Sequence, residues 1–247
     1  MFGCAFPALI AIITMFFAGA VALPFQTLLS ALMLLGLILL GICMTLLMSR
    51  LLSKTVLKGM PSSFALELPP YRRPQILKVI VRSIFDRTLF VLGRAVVVAL
   101  PAGLIIWLLA NITVNDSSLL QYCTDFLDPF AGFFGLDGVI LMAFILGFPA
   151  NEIVIPIMLM AYMSTGSLVE MQSLEQLHTL LINQGWTIIT AICVMIFYLF
   201  HFPCSTTCIT IYKETKSLKW TALAFLLPTV TGLSFCFLIS SIGKIFL

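Results

Sequence analysis

The chain has 247 residues, of which 61% are hydrophobic and 9% charged, with a net charge of +3. A soluble domain of this length carries far more charge; this composition and a mean hydropathy of +1.16 mark a polytopic membrane protein. Its cations cluster beside apolar runs, which excludes a nucleic-acid surface and reads as the positive-inside pattern of cytoplasmic loops.

Met1 to Cys4 has no basic segment ahead of an apolar stretch, so it is neither a secretory nor a lipoprotein signal. The chain enters an apolar run almost at once, as if the reading frame opened inside a membrane domain. A first span is expected over Pro7 to Ala22, a turn at Pro24, and a second span over Gln26 to Met48. Arg50 to Gly59 forms a basic connection. The paired prolines keep Leu66 to Arg73 extended. From Gln75, Ile76, Val79, Ile80, Ile84 and Leu89 recur at helical spacing against Lys78, Arg82, Asp86 and Arg87. That pattern predicts an amphipathic interfacial helix leading into a span over Leu89 to Ala110.

Nine of the 13 Lys and Arg residues fall between Arg50 and Arg94, and none between Ala95 and Tyr212. Asn111 to Asp137 carries Asp116, Asp125, Asp128 and Asp137 with no Lys or Arg, and is expected outside. Asp137 to Gly147 and Ala150 to Met163 follow, each near half of the roughly 30 Å hydrocarbon core when helical. They form either one broken span or a re-entrant hairpin turning at Phe148-Pro149. Charge parity favours the hairpin, because it leaves Lys213, Lys216 and Lys219 inside. A polar external segment over Ser164 to Gly185 with a short helix comes next. Trp186 to Phe202 then crosses, Ser205 to Tyr212 forms a half-helix, and Leu218 to Ser240 is the last span. The fold class is therefore all-α: about five transmembrane helices, a Pro-broken re-entrant hairpin and an interfacial helix. The expected organisation is two spans in residues 1–49, a basic connection in 50–88 and a transmembrane region with broken helices in 89–247.

Glu152 carries the most chemistry. It follows the break Gly147-Phe148-Pro149-Ala150-Asn151 inside an apolar run. A carboxylate at membrane depth costs several kcal/mol unless it meets a cavity, a partner or a cation. Pro149 lacks an N–H and opposes the fourth carbonyl upstream, so carbonyls near Ile145 to Gly147 lose helical partners. A cation held between those carbonyls and Glu152, with Asn151 as a neutral oxygen ligand, is one reading. The other is a Glu152 that caps its own helix or pairs with Arg94. A second break, His201-Phe202-Pro203-Cys204-Ser205-Thr206, offers a thiol, hydroxyls and an imidazole. Thiol with carboxylate, hydroxyl and carbonyl suits a borderline divalent transition metal. The alternative is that Ser205 and Thr206 cap the helix, the cysteines pack, and His201 bonds a carbonyl. The seven cysteines form no CxxC pair and imply no disulfide framework. Phosphate-loop, HExxH and GxSxG signatures are absent.

Phe64-Ala65-Leu66-Glu67-Leu68-Pro69-Pro70-Tyr71-Arg72, the basic helix after it, and Lys213-Glu214-Thr215-Lys216-Ser217-Leu218-Lys219-Trp220 following Pro203-Cys204 resemble the membrane domain of FeoB-type ferrous iron transporters. Gly147 to Pro156 is similar to the family's second gate segment. The resemblance runs from about Phe6 onward. It implies Fe²⁺ uptake across a bacterial inner membrane, with Fe²⁺ as cargo and no permanent cofactor. Glu152 and Cys204 are the implied pathway residues, and Asn151, Ser205, Thr206 and His201 stand beside them. Cys4 is a further candidate, as the counterpart of a gate cysteine. Such a chain corresponds to the C-terminal portion of the family, without the GTP-binding domain and first gate segment, so it is not expected to be an enzyme. The partners implied are a GTP-binding FeoB portion or subunit, a small FeoA-like protein and the lipid bilayer. The alternatives are a nucleoside-gate-type solute permease and a non-transporting membrane fragment.

Overall fold

The computed structural model describes residues 2–17, 23–55, 81, 90–114, 117–165 and 174–246. Within α1 (Phe2–Phe16) side chains are described from Leu9 onward, so the side chain of Cys4 lies outside the described residues. So do the side chain of Arg94, the Leu66 to Arg73 element and nearly all of the amphipathic helix expected after Gln75.

The chain divides into two compact units, Ile38–Val97 and the combination of Met1–Leu37 with Val98–Leu247. The smaller unit holds the second part of α2 (Leu23–Lys54) and the first turns of α3 (Phe90–Asn111). The apolar stretch of α2 is only 6% buried, with Leu28, Leu32, Leu35, Leu39, Ile42 and Leu46 all exposed. An apolar helix so little covered among the described residues is suited to lipid, not water.

In the larger unit a two-residue pair, β1 (Thr113–Val114) against β2 (Ser117–Ser118), precedes α4 (Leu119–Ala131). The sequence placed an external segment here and left its local structure open. The structure makes half of it a helix: the Ser118 hydroxyl accepts the Gln121 N–H at 3.2 Å, capping a helix whose Leu120, Thr124 and Ala131 are buried. That face lies over α5 (Gly138–Leu146), the two elements bending through 107°. The approach is close enough that a Cβ on Gly138 would run into the Thr124 carbonyl.

Next come a turn, a 3₁₀ turn (Asn151–Ile153) and α6 (Val154–Tyr162). Asp137 caps α5 by accepting the Ile140 N–H at 2.6 Å, and it also accepts the Tyr162 hydroxyl. If residues 137 to 162 ran straight as one broken helix, their ends would stand about 37 Å apart. The bond between them requires a hairpin, in agreement with the charge-parity expectation.

The remaining elements are α7 (Leu174–Asn183), α8 (Ile188–Phe200), α9 (Ser205–Thr215) and α10 (Leu218–Phe246). Together α8 and α9 make one interrupted 28-residue span whose most apolar 18-residue stretch is 67% buried, against 11% for that of α10. The core is therefore built around α8, whose buried Phe197 and Tyr198 meet the ring of Phe144 in α5. α10 lies along α8 and α9. Gly232 lets Phe197 and Phe200 approach closely, Phe235 stacks on Phe200 at 5.7 Å, and Phe225 stacks on Phe202 at 4.9 Å. Cys193 and Cys236 sit fully buried between the same helices, as packing residues. In lipid such contacts replace hydrophobic burial as the source of helix association. Among the described residues three helices are long and apolar enough to cross a membrane, or four if the bent α4–α5 pair counts as one. α1 has 15 residues, and the apolar part of α3 found there, Val96–Asn111, is also shorter than a span.

Candidate functional site

Both breaks form where proline chemistry demands them. After α5, the Gly147 N–H still reaches the Ala143 carbonyl at 2.8 Å, while Phe148 closes a tighter bond to Ile145 at 3.3 Å. Pro149 cannot donate, Ala150 is extended, and the chain re-enters helix through Asn151–Ile153. On the other strand of the site α8 ends at Phe200, His201 turns extended, and Cys204 stands at the N-cap of α9.

The two breaks touch. The Ser205 N–H donates to the Phe148 carbonyl at 2.9 Å, and its hydroxyl donates to the Pro149 carbonyl at 3.4 Å. Tyr198 makes the second tie, its hydroxyl donating to the Asn151 carbonyl at 2.8 Å. Phe148 packs edge-on against Phe202 at 5.8 Å and Phe144 against His201 at 5.4 Å. The sequence predicts carbonyls near Ile145 to Gly147 freed for a cation. Instead, the Ile145 carbonyl keeps an acceptor role toward Phe148, and the carbonyls freed at Phe148 and Pro149 are taken by Ser205.

The other candidates divide into three environments. Cys204 is half-buried, its Sγ 3.1 Å from the Thr206 hydroxyl and 3.2 Å from that of Thr207. Cys208 reaches back to the Pro203 carbonyl at 3.6 Å. Glu152 is exposed in its 3₁₀ turn. His201 is only 4% exposed, and its Nδ1 lies 2.8 Å from the Tyr198 carbonyl. Among the described residues, His201 Nε2 and Asn151 Oδ1 are buried without a hydrogen-bond partner. Each orphaned acceptor costs about 1–3 kcal/mol. No group of three His, Cys, Asp or Glu side chains converges among the described residues. Tyr198 and Thr207 were missed in the sequence. Their only signals were helical offsets: Tyr198 stands three before His201, and Thr207 three after Cys204.

A second polar cluster lies at the open end of the hairpin. Tyr162 donates to Asp137 and accepts from Trp186 Nε1 at 2.8 Å, so α5, α6 and the start of α8 are stapled together. Burial pushes the Asp137 carboxyl above its usual range, against the Tyr162 and Ile140 donors that favour its ionised form. Beside it is a cavity of about 370 Å³ lined by Asp125, Thr124, Gln121, Ser164 and Gln184 among others. Lys244 closes this end of the bundle by donating to the Gly132 carbonyl at 3.2 Å.

Residues 92–218, which contain both breaks, match the family model described as Gate, nucleoside recognition, and residues 34–87 match that of the ferrous iron transport protein B C terminus. The chain belongs to the gate-bearing C-terminal region of the FeoB family. It is 33% identical over 235 residues to the Fe(2+) transporter FeoB of Staphylococcus aureus (strain MSSA476), covering 87% of this chain and 32% of that protein. It is 26% identical over 241 residues to the Fe(2+) transporter FeoB of Leptospira interrogans serovar Lai (strain 56601), covering 87% of this chain and 34% of that protein. A third relative, the Fe(2+) transporter FeoB of Leptospira biflexa serovar Patoc, is 25% identical over 223 residues, with 83% and 32% covered. This FeoB-family chain thus spans about a third of the length of the curated relatives it matches. No solved structure matches it.

Proposed function

We propose that this chain forms the gate part of a ferrous iron permease. The cation would pass the place where the two proline breaks meet, using Glu152 and Cys204 as its principal ligands, with Ser205, Thr206, Asn151 and His201 beside them. The observation that carries the reading is the junction itself: Ser205 and Tyr198 join two interrupted helices whose backbone is irregular at depth. Irregular backbone in a membrane persists where it is enclosed by protein or lines a path. α8 runs about 20 Å from its start to the break and α9 about 16 Å beyond it, so the junction lies well inside a roughly 30 Å core. The exposed face of Glu152 leaves it open to an arriving cation. Fe²⁺ as cargo is supported by the names of the relatives and by a thiol beside hydroxyls, a set that suits borderline metals. By the positive-inside rule Lys213, Lys216 and Lys219 face the cytoplasm, and the Asp137 end faces outward. The host membrane would be a bacterial inner membrane. Energy coupling would come from a GTP-binding FeoB portion or subunit, with a small FeoA-like protein as a further partner, and this chain itself would catalyse no reaction.

The test is uptake of radiolabelled Fe²⁺ in an iron-import-deficient host. The chain is expressed alone, with a GTPase-bearing partner, and with Glu152→Gln or Cys204→Ser. Expected is partner-dependent uptake that falls at least about tenfold, equivalent to about 1.4 kcal/mol, in either variant. Uptake unchanged in both variants rejects the ligand assignment. Uptake of nucleosides in place of Fe²⁺ would establish the solute-permease reading, and uptake of neither would leave the non-transporting fragment.

A further inference from the structure

His201 and Asn151 present a different problem from Glu152 and Cys204. A carbonyl oxygen only accepts, so the proton between His201 and the Tyr198 carbonyl resides on Nδ1. In the neutral ring Nε2 is then a bare lone pair. The imidazole is surrounded by rings, its centroid 5.4 Å from that of Phe144, 5.6 Å from that of Tyr198 and 5.6 Å from that of Phe202. A phenylalanine would suit that cage and would carry no buried Nε2 lone pair, at the cost of the Nδ1–H bond to the Tyr198 carbonyl. On the facing break Asn151 Oδ1 is in the same condition. One residue positions both: Tyr198 takes the Nδ1 proton on its carbonyl and holds the Asn151 backbone with its hydroxyl. A histidine whose one nitrogen is tied to a backbone carbonyl while the other is bare has the arrangement of a metal ligand, since that tie sets the tautomer and orients the ring. A trapped water is the other way to satisfy these atoms, but a water needs two to four polar neighbours, and the rings around His201 supply few.

We propose that His201 Nε2 and Asn151 Oδ1 are inner ligands that receive a divalent transition-metal cation after Glu152 and Cys204, and that this step discriminates among cations. The inference rests on the ferrous iron reading and names where that path selects. Imidazole nitrogen favours Fe²⁺, Co²⁺ and Zn²⁺ over Mg²⁺ and Ca²⁺, which prefer all-oxygen shells, and it holds Mn²⁺ least among the first-row metals.

The probe is Co²⁺, titrated into the purified full chain in detergent and read by its visible absorption, which reports nitrogen coordination. His201→Phe keeps the aromatic cage and removes the lone pair; Asn151→Leu removes the other acceptor. The expected result is Co²⁺ binding weakened about tenfold or more in His201→Phe, with loss of the nitrogen-ligand signature. Without metal, the melting temperature of His201→Phe should stay close to that of the parent, because removal of the orphaned Nε2 offsets the lost bond to the Tyr198 carbonyl. In the uptake assay this variant should also lose preference for Fe²⁺ over Mn²⁺. Should His201→Phe not fold, Asn151→Leu carries the test by the same titration, with weakened Co²⁺ binding expected. Parental affinity and spectrum in both variants overturn the inference while leaving iron transport standing, and assign these atoms to buried water. A parent chain that transports Fe²⁺ but gives no nitrogen-ligand Co²⁺ signal overturns it too. A parent that neither binds Co²⁺ nor takes up Fe²⁺ with its partner overturns both.

Discussion

At the open end of the hairpin, Asp137 has a donor for each oxygen: the Ile140 N–H on one and the Tyr162 hydroxyl on the other, with Trp186 behind it. At the junction, about 20 Å along α8, two acceptors are equally enclosed and have none. Both clusters hold helices together, yet only the outer one is electrostatically complete. A satisfied buried network rigidifies a fold, whereas an unsatisfied one persists only where something else completes it. The contrast separates two roles: the outer cluster builds the hairpin, and the junction is where we propose that a cation is received.

That contrast can be broken most sharply at Asp137. Asp137→Ala removes the cap of α5 and the acceptor of Tyr162 together, and is expected to cost about 3 kcal/mol, measured as reduced unfolding stability in mixed micelles. Uptake should fall only in step with the folded fraction; a specific transport defect in well-folded protein would erase the distinction. Tyr162→Phe leaves the cap and deletes one hydroxyl bonded to a carboxylate, so about 1.5 kcal/mol is expected by the same assay. Tyr198→Phe deletes the hydroxyl on the Asn151 carbonyl. It should cost about 1 kcal/mol in stability, and a larger loss would mean that Tyr198 supports more of the junction than its bond to Asn151. Ser205→Ala is the mildest: the 3.4 Å hydroxyl contact is long, and the backbone N–H to Phe148 survives the change, so about 0.5 kcal/mol or less is expected. A loss beyond about 1 kcal/mol would show that the Ser205 hydroxyl, and not its backbone, fastens the two breaks.

Much of this was legible before any coordinates. Pro149 and Pro203 interrupt helices because a missing N–H and a ring clash act within one turn, so the break positions follow from the residues alone. The hairpin followed from the lysines at 213, 216 and 219, whose sidedness is set by the bilayer. α4 was not legible. Its aspartates spoke only to which side it lies on, and the cap at Ser118 and the close seat over Gly138 make it a helix. The bond of Trp186 to Tyr162 likewise depends on a chain reversal that the residues around Trp186 do not encode.

For this chain the sequence by itself determined the membrane class, the two breaks and the residue types gathered at them. These rest on composition and on backbone rules that act over a few residues. The tertiary structure decided which partner each freed group finds. Ser205 takes carbonyls at Phe148 and Pro149, the latter 56 positions away, and Tyr198 takes one 47 positions away. It left Nε2 of His201 bare. Such pairings depend on how helices approach across a packed interior, where every nearby donor competes for the same acceptor, and a local pattern carries no record of that contest.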